Sequence, residues 1–445
     1  MKYTHGGLPS LIILLIASLQ GTIIAETAPA IPPAACDLQG IGEQAHSHLS
    51  ASFLPFWYHH SWDAEKGGFV TQLENDGSWY EPNDRRLIMQ ARMIWTFAAA
   101  HRKGLRSLPY LERALEGMRY VESAFRDPEH GGYYYAVNRN RTPTETIKTL
   151  YSHAFLLYAY SELALASGDP DIAQAALGIF ELIEAKTKDT KRPGYLEDFE
   201  RDWTYLSHSS VSGMTDVKTL NTHMHLMEAY TTFVKAVPGE KQSEALETLT
   251  QLILDRSIES EKGFAYEPYS LDFEPIPNRD HEWVTSYSHN IELAWLLVEA
   301  AEVLEWEPST YQPLILRMVD HALRFGFDPR RGALLTAGPA DASPIGEDGP
   351  PEDTLIGWWE QAETLVGLLY AYRIQPNRRY SDALIQTWHT VWNEFIDHDR
   401  GGWFYHVGWH SHKPPSDRMG SEWKAAYHDG RCLMQLSRFL GHSEP

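Results

Sequence analysis

The sequence predicts an all-α protein: an (α/α)6 barrel of twelve helices in two concentric rings, with short β-hairpins between the helices of each repeat. Three observations carry this expectation. A glycine-led, mostly aromatic segment recurs six times, as DAEKGGF ending at Phe69, DPEHGGY at Tyr133, KRPGY at Tyr195, SEKGF at Phe264, DPRRGAL at Leu334 and DHDRGGW at Trp403. The copies lie at intervals of about sixty to seventy residues, the mark of a repeated supersecondary unit. Long segments with apolar residues three and four apart flank the turns, which is the helix period. The copies also fill the chain, so the units close into a ring rather than an open array.

Taken in chain order, the first element is a processing signal. Lys2 precedes an apolar run, Leu11 to Leu19, and a small residue, Ala25, follows. This is the pattern of a secretory signal over residues 1–25, too short to span a membrane as a helix. A lipoprotein reading through Cys36 places that cysteine far from the apolar run. Residues 26–40 form an Ala/Pro-rich leader, and residues 41–445 a single barrel domain. The mature protein is expected outside the cytoplasm, in the periplasm, as a monomer with no membrane attachment.

Within the barrel, each glycine turn opens a brief extended stretch rich in aromatic and β-branched residues, such as GGYYYAV from Gly131 and GGWFYHV from Gly401. Helices before the turns, such as Leu108 to Phe125, carry a charged face and belong outside. Helices after the turns, such as Arg86 to Ala100 and Ile291 to Leu304, are apolar on most sides and belong in an inner ring.

A hydrophobic content of 43% supports one large core, and a net charge of −22 without a long basic run argues against nucleic acid as a partner. A small neutral or polar substrate fits better. The two cysteines, Cys36 and Cys432, would be neighbours in a closed ring. A buried thiol at Cys432 and an unpaired Cys36 is the favoured reading, although sequence does not fix pairing.

The polar residues with chemical potential gather early in the inner helices. Asn221, His225 and Glu228 share one helix face by their spacing of three and four, and His289 and Glu292 are three apart. Trp359 and Glu363 lie in the segment opening the fifth inner helix, Trp423 and His428 in that opening the sixth. Arg92 is on the first and His153 on the second. Any one of these has an ordinary reading as a packed or paired residue. Together they would bury several ionisable groups in one ring of helix starts, which costs desolvation without structural need. His59, His60, His101, His410 and His412 read as solvated or edge histidines. A metal site is the first rival, because His-x-x-Glu resembles carboxylate–histidine motifs in bundles, but His223 and His225 point to different faces. Glycoside hydrolysis is the second; it needs two carboxylates across a sugar bond, whereas histidine dominates here and favours proton abstraction.

Four segments carry a family resemblance. KTLNTHMHLMEAYT from Lys218 resembles NTHxHxxEAYT, SYSHNIELAWLL resembles GHDIExxWLL, WWEQAE resembles WWVQAE, and EWKAAYHDGR resembles PWKxPYHNGR. These are motifs of the N-acylglucosamine 2-epimerase superfamily, closest to its cellobiose 2-epimerase branch, and the resemblance runs from about Phe53 to Leu440. It implies the same barrel and epimerisation of a sugar at C2, without metal or nucleotide. It differs at Asn290, where Asp is usual, and at His153, where Gln is common and His is more typical of related sugar isomerases. The segment from Ala337 to Leu355 is an acidic, Pro/Gly-rich loop.

On this reading His289 and His428 exchange the C2 proton on opposite faces of the opened sugar, with Glu292 orienting His289. His225 and Arg92 hold O1 or the enediolate. Trp359 and Trp423 stack on sugar rings, Asn221 binds a hydroxyl, and His153 and Glu363 join the substrate-binding set. The substrate is a disaccharide with a reducing-end aldose of the cellobiose, mannobiose or lactose type. An aldose–ketose isomerase of the mannose isomerase type, a monosaccharide 2-epimerase and a non-catalytic sugar-binding protein are the alternatives.

Overall fold

A computed structural model describes residues 37–441, apart from residues 82, 211, 278–282 and 415–417. The expected signal, residues 26–36 of the leader and with them Cys36 lie outside the described residues. Cys432 is buried as a free thiol. Among the described residues no helix is long and apolar enough to cross a membrane.

The chain begins with α1 (Leu38–His48), which continues through a π turn (Leu49–Phe53) into α2 (Leu54–His60) as one outer rod. Its start falls inside the stretch read as leader, because the Asp37 carboxylate accepts the Gly40 N–H at 2.8 Å and caps the helix there. Inner α3 (Leu87–Arg102) and outer α4 (Tyr110–Ala124) follow, then inner α5 (Leu150–Ser167) and outer α6 (Pro170–Lys186). Inner α7 (Leu220–Ala236) and outer α8 (Glu240–Arg256) precede inner α9 (Tyr287–Val303) and outer α10 (Pro308–Phe325). Inner α11 (Trp358–Ile374), outer α12 (Arg378–Thr390) and inner α13 (His428–Leu440) complete the ring. Each inner helix packs on the next, and α13 meets both α3 and α1. The two rings are the (α/α)6 barrel that the repeat predicts, with α1 and α2 counted as one rod.

Burial separates the rings as the sequence patterns require. Every residue of α3 from Leu87 to Ala100 is buried, and so is every residue of α5 from Leu150 to Ala164. In α4 only the stripe Tyr110, Ala114, Gly117, Tyr120, Val121 and Ala124 is buried, which is one face of an amphipathic helix.

The glycine turns are held by a repeated device. A polar side chain at the fourth residue of five inner helices bonds the backbone just after the turn. Gln90 accepts from the Phe69 N–H at 2.7 Å and donates to its carbonyl, and Gln361 does the same at Leu334. His153 accepts from Tyr133 N–H, His223 from Tyr195 N–H and Asn290 from Ala265 N–H. In the first three repeats the turn aspartate also pairs with a buried cation two residues before the inner helix. These pairs are Asp63–Arg85, Asp127–Lys148 and Asp189–Lys218, each at 2.9 Å. Backbone pairing past the turns is brief: Gly67 onward makes only isolated bridges, whereas Ala337–Pro339 pairs with Val284–Ser286 and Leu355–Gly357 with His406–Gly408.

Ser and Thr residues cap the inner helices at the same end. Thr149, Thr219 and Ser286 accept from the N–H groups of Ser152, Thr222 and His289. The six inner N-termini therefore surround one mouth of the barrel, and the six C-termini the other.

Candidate active site

The mouth ringed by inner-helix N-termini holds a cavity of about 250 Å³. Arg92, Asn221, His225, His289, Glu292, Trp359, Trp423 and His428 all line it, joined by Tyr151, Trp358 and Tyr405. The structure thus brings together eight of the ten site residues expected from sequence. Trp423 lies before α13 rather than on it, and its carbonyl accepts from Arg92 at 2.5 Å. The second Arg92 nitrogen donates to the Tyr151 hydroxyl at 3.1 Å.

Three histidines at this mouth share one arrangement. Nδ1 of each bonds a glutamate: His225 to Glu228 at 2.9 Å, His428 to Glu363 at 2.7 Å and His289 to Glu267 at 3.1 Å. A carboxylate that holds Nδ1–H leaves Nε2 as the basic nitrogen for a ligand. His289 and His428 both lie against Trp359, with ring centroids 5.1 and 5.9 Å away.

Three expected placements are corrected. Glu292 does not orient His289. It accepts from Arg431 at 3.1 Å, and its nearer histidine is His428, at 3.9 Å. Spacing of three on a helix permits a pair but does not compel one; here Glu267, in the segment before α9, bonds His289, and Arg431 bonds Glu292. Glu363 does not line the cavity but stands behind His428, accepting also from Trp295 at 2.9 Å. His153 is not brought to the cavity at all. Its Nδ1–H donates to the Thr149 carbonyl at 2.8 Å and its Nε2 pins the second glycine turn, which places it one face away.

Arg431 organises the floor. It bonds Glu228, Glu292 and Glu363, the last at 2.8 Å, while Tyr427 donates to Glu228 at 2.6 Å. Three carboxyls around one guanidinium cannot all stay ionised. Burial, then the neighbouring Glu363, pushes the Glu292 carboxyl well above the usual carboxylate range. Burial also opposes ionisation of Glu228, but Arg431 and His225 outweigh it and hold that group below its ordinary value. Burial lowers His225, and burial with Arg92 and Arg431 lowers His428 strongly, so both imidazoles rest neutral.

Glu292, Glu363 and His428 place ligand atoms within 4.8 Å of one another, a spacing that would suit a metal ion. Arg431 already bonds both carboxylates, and a second cation there would meet it directly. The residues present do not fit a metal.

Glu267, Tyr151, Tyr427 and Arg431 escaped the sequence reading. Tyr427 and Arg431 fall inside a motif that was recognised, EWKAAYHDGR, but their inward direction follows only from the late start of α13. Glu267 sits in the irregular segment between the strands Phe264–Ala265 and Tyr269–Ser270, 22 residues before its partner, and helical spacing gives it no signal.

Residues 67–432 match the family model described as N-acylglucosamine 2-epimerase. The chain is 29% identical over 412 residues to a cellobiose 2-epimerase of Bacteroides fragilis, covering 88% of this chain and 98% of that one. It is 25% identical over 353 residues to a D-mannose isomerase of Marinomonas mediterranea, covering 76% and 83%. Among solved structures, the cellobiose 2-epimerase from Bacillus thermoamylovorans B4167 superposes with a TM-score of 0.80 at 25% identity, covering 89% of this chain and 99% of that one.

Proposed function

The chain belongs to the N-acylglucosamine 2-epimerase family, and from that premise we propose that it is a 2-epimerase acting on the reducing-end aldose of a β-1,4-linked disaccharide of the cellobiose, mannobiose or lactose type. The observation that carries the reading is the pair His289 and His428. They stand in one cavity against one tryptophan, each with Nδ1 committed to a carboxylate. Two basic nitrogens at one sugar are what a two-face proton exchange requires.

In the proposed reaction the ring opens first, because only the open aldehyde acidifies the C2 proton. Nε2 of one histidine takes that proton, and the C2–H electron pair forms the C1=C2 bond of a cis-enediolate whose negative charge rests on O1. The other histidine enters the turnover as the imidazolium; its Nε2–H returns a proton to the opposite face of C2, C1 becomes a carbonyl again, and proton exchange with solvent resets both imidazoles. Arg92 and His225, which line the same cavity, hold O1 in this proposal, and the inner N-termini turn positive dipole ends toward the same anion. Trp359 and Trp423 offer flat faces to the two sugar rings, and Asn221 a hydroxyl contact. Return of the proton to C1 instead would give an aldose–ketose isomerase, the activity that the Marinomonas relative's name describes. His153 has no bearing on that choice, because it lies outside the cavity.

Incubation with cellobiose, mannobiose, lactose and mannose in heavy water tests the reading. The expected product is the C2 epimer of a disaccharide carrying deuterium at C2. A ketose as the main product would establish the isomerase, and unchanged sugars a binding protein. His289→Ala and His428→Ala are each expected to lower kcat by about a thousandfold, within the range of general acid–base contributions, while remaining folded. Export, with mature protein beginning near Glu26, completes the proposal; N-terminal sequencing of protein from its native cell would show an intact Met1 if it is wrong.

A further inference from the structure

The opposite mouth, ringed by inner-helix C-termini, holds a second cavity of about 320 Å³, larger than the first. We propose that it binds a small polyhydroxylated anion, a sugar bearing a carboxylate or a phosphate. Its walls carry six cationic side chains and three carboxylates, Glu162, Glu299 and Glu302, in a chain whose net charge is −22.

Helix C-termini attract cations, so this surplus needs a closer look. A cation serving a helix end bonds its carbonyls, as Arg106 bonds the His101 and Leu105 carbonyls after α3. Lys103, Arg373 and Arg438 bond neither carbonyl nor carboxylate among the described residues. Arg373 and Arg438 lie over the same Phe439 ring, 3.8 and 4.7 Å from its centroid. Like charges gathered at one cavity favour an anion that would separate them.

The hydroxyl requirement comes from deeper in the cavity. Trp95, Arg431 and Gln435 line it, each more than nine-tenths buried, and each keeps a buried polar atom without a partner among the described residues. Trp95 Nε1 and Arg431 Nε are donors that need an acceptor. Gln435 Oε1 is an acceptor that needs a donor, its Nε2 being turned to Glu299 at 3.3 Å. A bare anion offers acceptors alone, whereas an anion carrying hydroxyls offers both acceptors and donors to the side chains that line the cavity. The volume suits a six-carbon sugar derivative.

Calorimetric titration of the full chain with gluconate and with glucose 6-phosphate, at constant ionic strength and with cellobiose in excess, tests this. One or both anions should bind at one site per chain, and the arm that binds identifies the charged group. Glucose should not bind this site. The Arg373→Gln/Arg438→Gln double variant should bind at least about tenfold more weakly, as expected for lost charge-assisted hydrogen bonds. If that variant does not fold, Lys103→Gln at an exposed position takes its place with the same expected direction. Binding of neither anion, equal binding of glucose, displacement by cellobiose, or unchanged affinity in a folded variant would each overturn the proposal.

Discussion

At the scale of single residues, the three imidazoles of the first cavity differ in where their carboxylates come from. His225 takes its partner from its own helix and His428 from the neighbouring α11, but His289 depends on an irregular segment between two short strands. Glu267 bonds His289 with one oxygen and the Asn221 N–H, at 3.2 Å, with the other, so it couples α9 to α7. It acts through His289 and is a positioning residue. Burial disfavours its charge, but His289 outweighs that and holds the carboxyl below its ordinary value. Glu267→Gln is expected to lower kcat about ten- to a hundredfold with KM little changed, in line with losses on removing groups that fix a working histidine. The acid limb of its kcat/KM profile should also move to lower pH, because a neutral amide stabilises imidazolium less than a carboxylate does. A purely structural glutamate would leave that limb in place. The sequence made the histidines and tryptophans of this site legible through helix-start spacing. It paired Glu292 with the wrong histidine and missed Glu267, because pairing is decided through space by whichever group arrives at the shorter distance.

At the scale of elements, the repeat was legible because its glycines obey a backbone requirement. Gly332 has φ +62°, and a Cβ there would stand 2.5 Å from the Gln386 carbonyl oxygen of α12; Gly401 has φ +100° and meets the Ser52 carbonyl in the first outer rod. These two turns thus seat on the next outer helix, and only a residue without a side chain allows the approach. Gly332→Ala should destabilise the fold by roughly 2 kcal/mol or more through left-handed strain and collision, read as a lowered denaturation midpoint at constant m-value. The pins between inner helix and turn were not legible, since Gln, His and Asn serve one role and share no obvious pattern. Their equivalence gives a sharper expectation. His153→Gln should preserve the fold and the activity, Gln90 and Gln361 being the precedent. His153 is held by burial at a pKa of about 4, against 6.5 when unfolded. Its folded value is depressed, so the unfolded chain binds the extra proton, and its contribution is intact above pH 6.5 and lost as pH falls toward 4. The glutamine variant lacks this titration. Its stability should fall less than that of the wild type between pH 7 and pH 4, by about 3 kcal/mol, measured by denaturant unfolding at both values.

At the scale of the molecule, the ring has two unlike mouths joined by one guanidinium. Arg431 holds the carboxylates of the first cavity and also lines the second. The ring itself is completed by the two ends of the described chain. Outer α1 packs on inner α13, His46 meets Ser437 at 3.0 Å, Gln44 accepts from Trp388 at 2.8 Å, and a Cβ on Gly42 would collide with the backbone at Gly441. The first described helix therefore waits for the last before either has its full neighbourhood. The final closing contacts join residues almost the whole chain apart, which makes them slow to form and easy to lose by trimming either end. The same adjacency means that the order of the repeats along the chain is arbitrary to the finished ring. A circular permutant that joins Gly441 to Leu38 through a short glycine–serine linker and opens at the exposed turn near Gly104 should fold to the same barrel with comparable melting temperature, while a chain merely shortened by α1 should not.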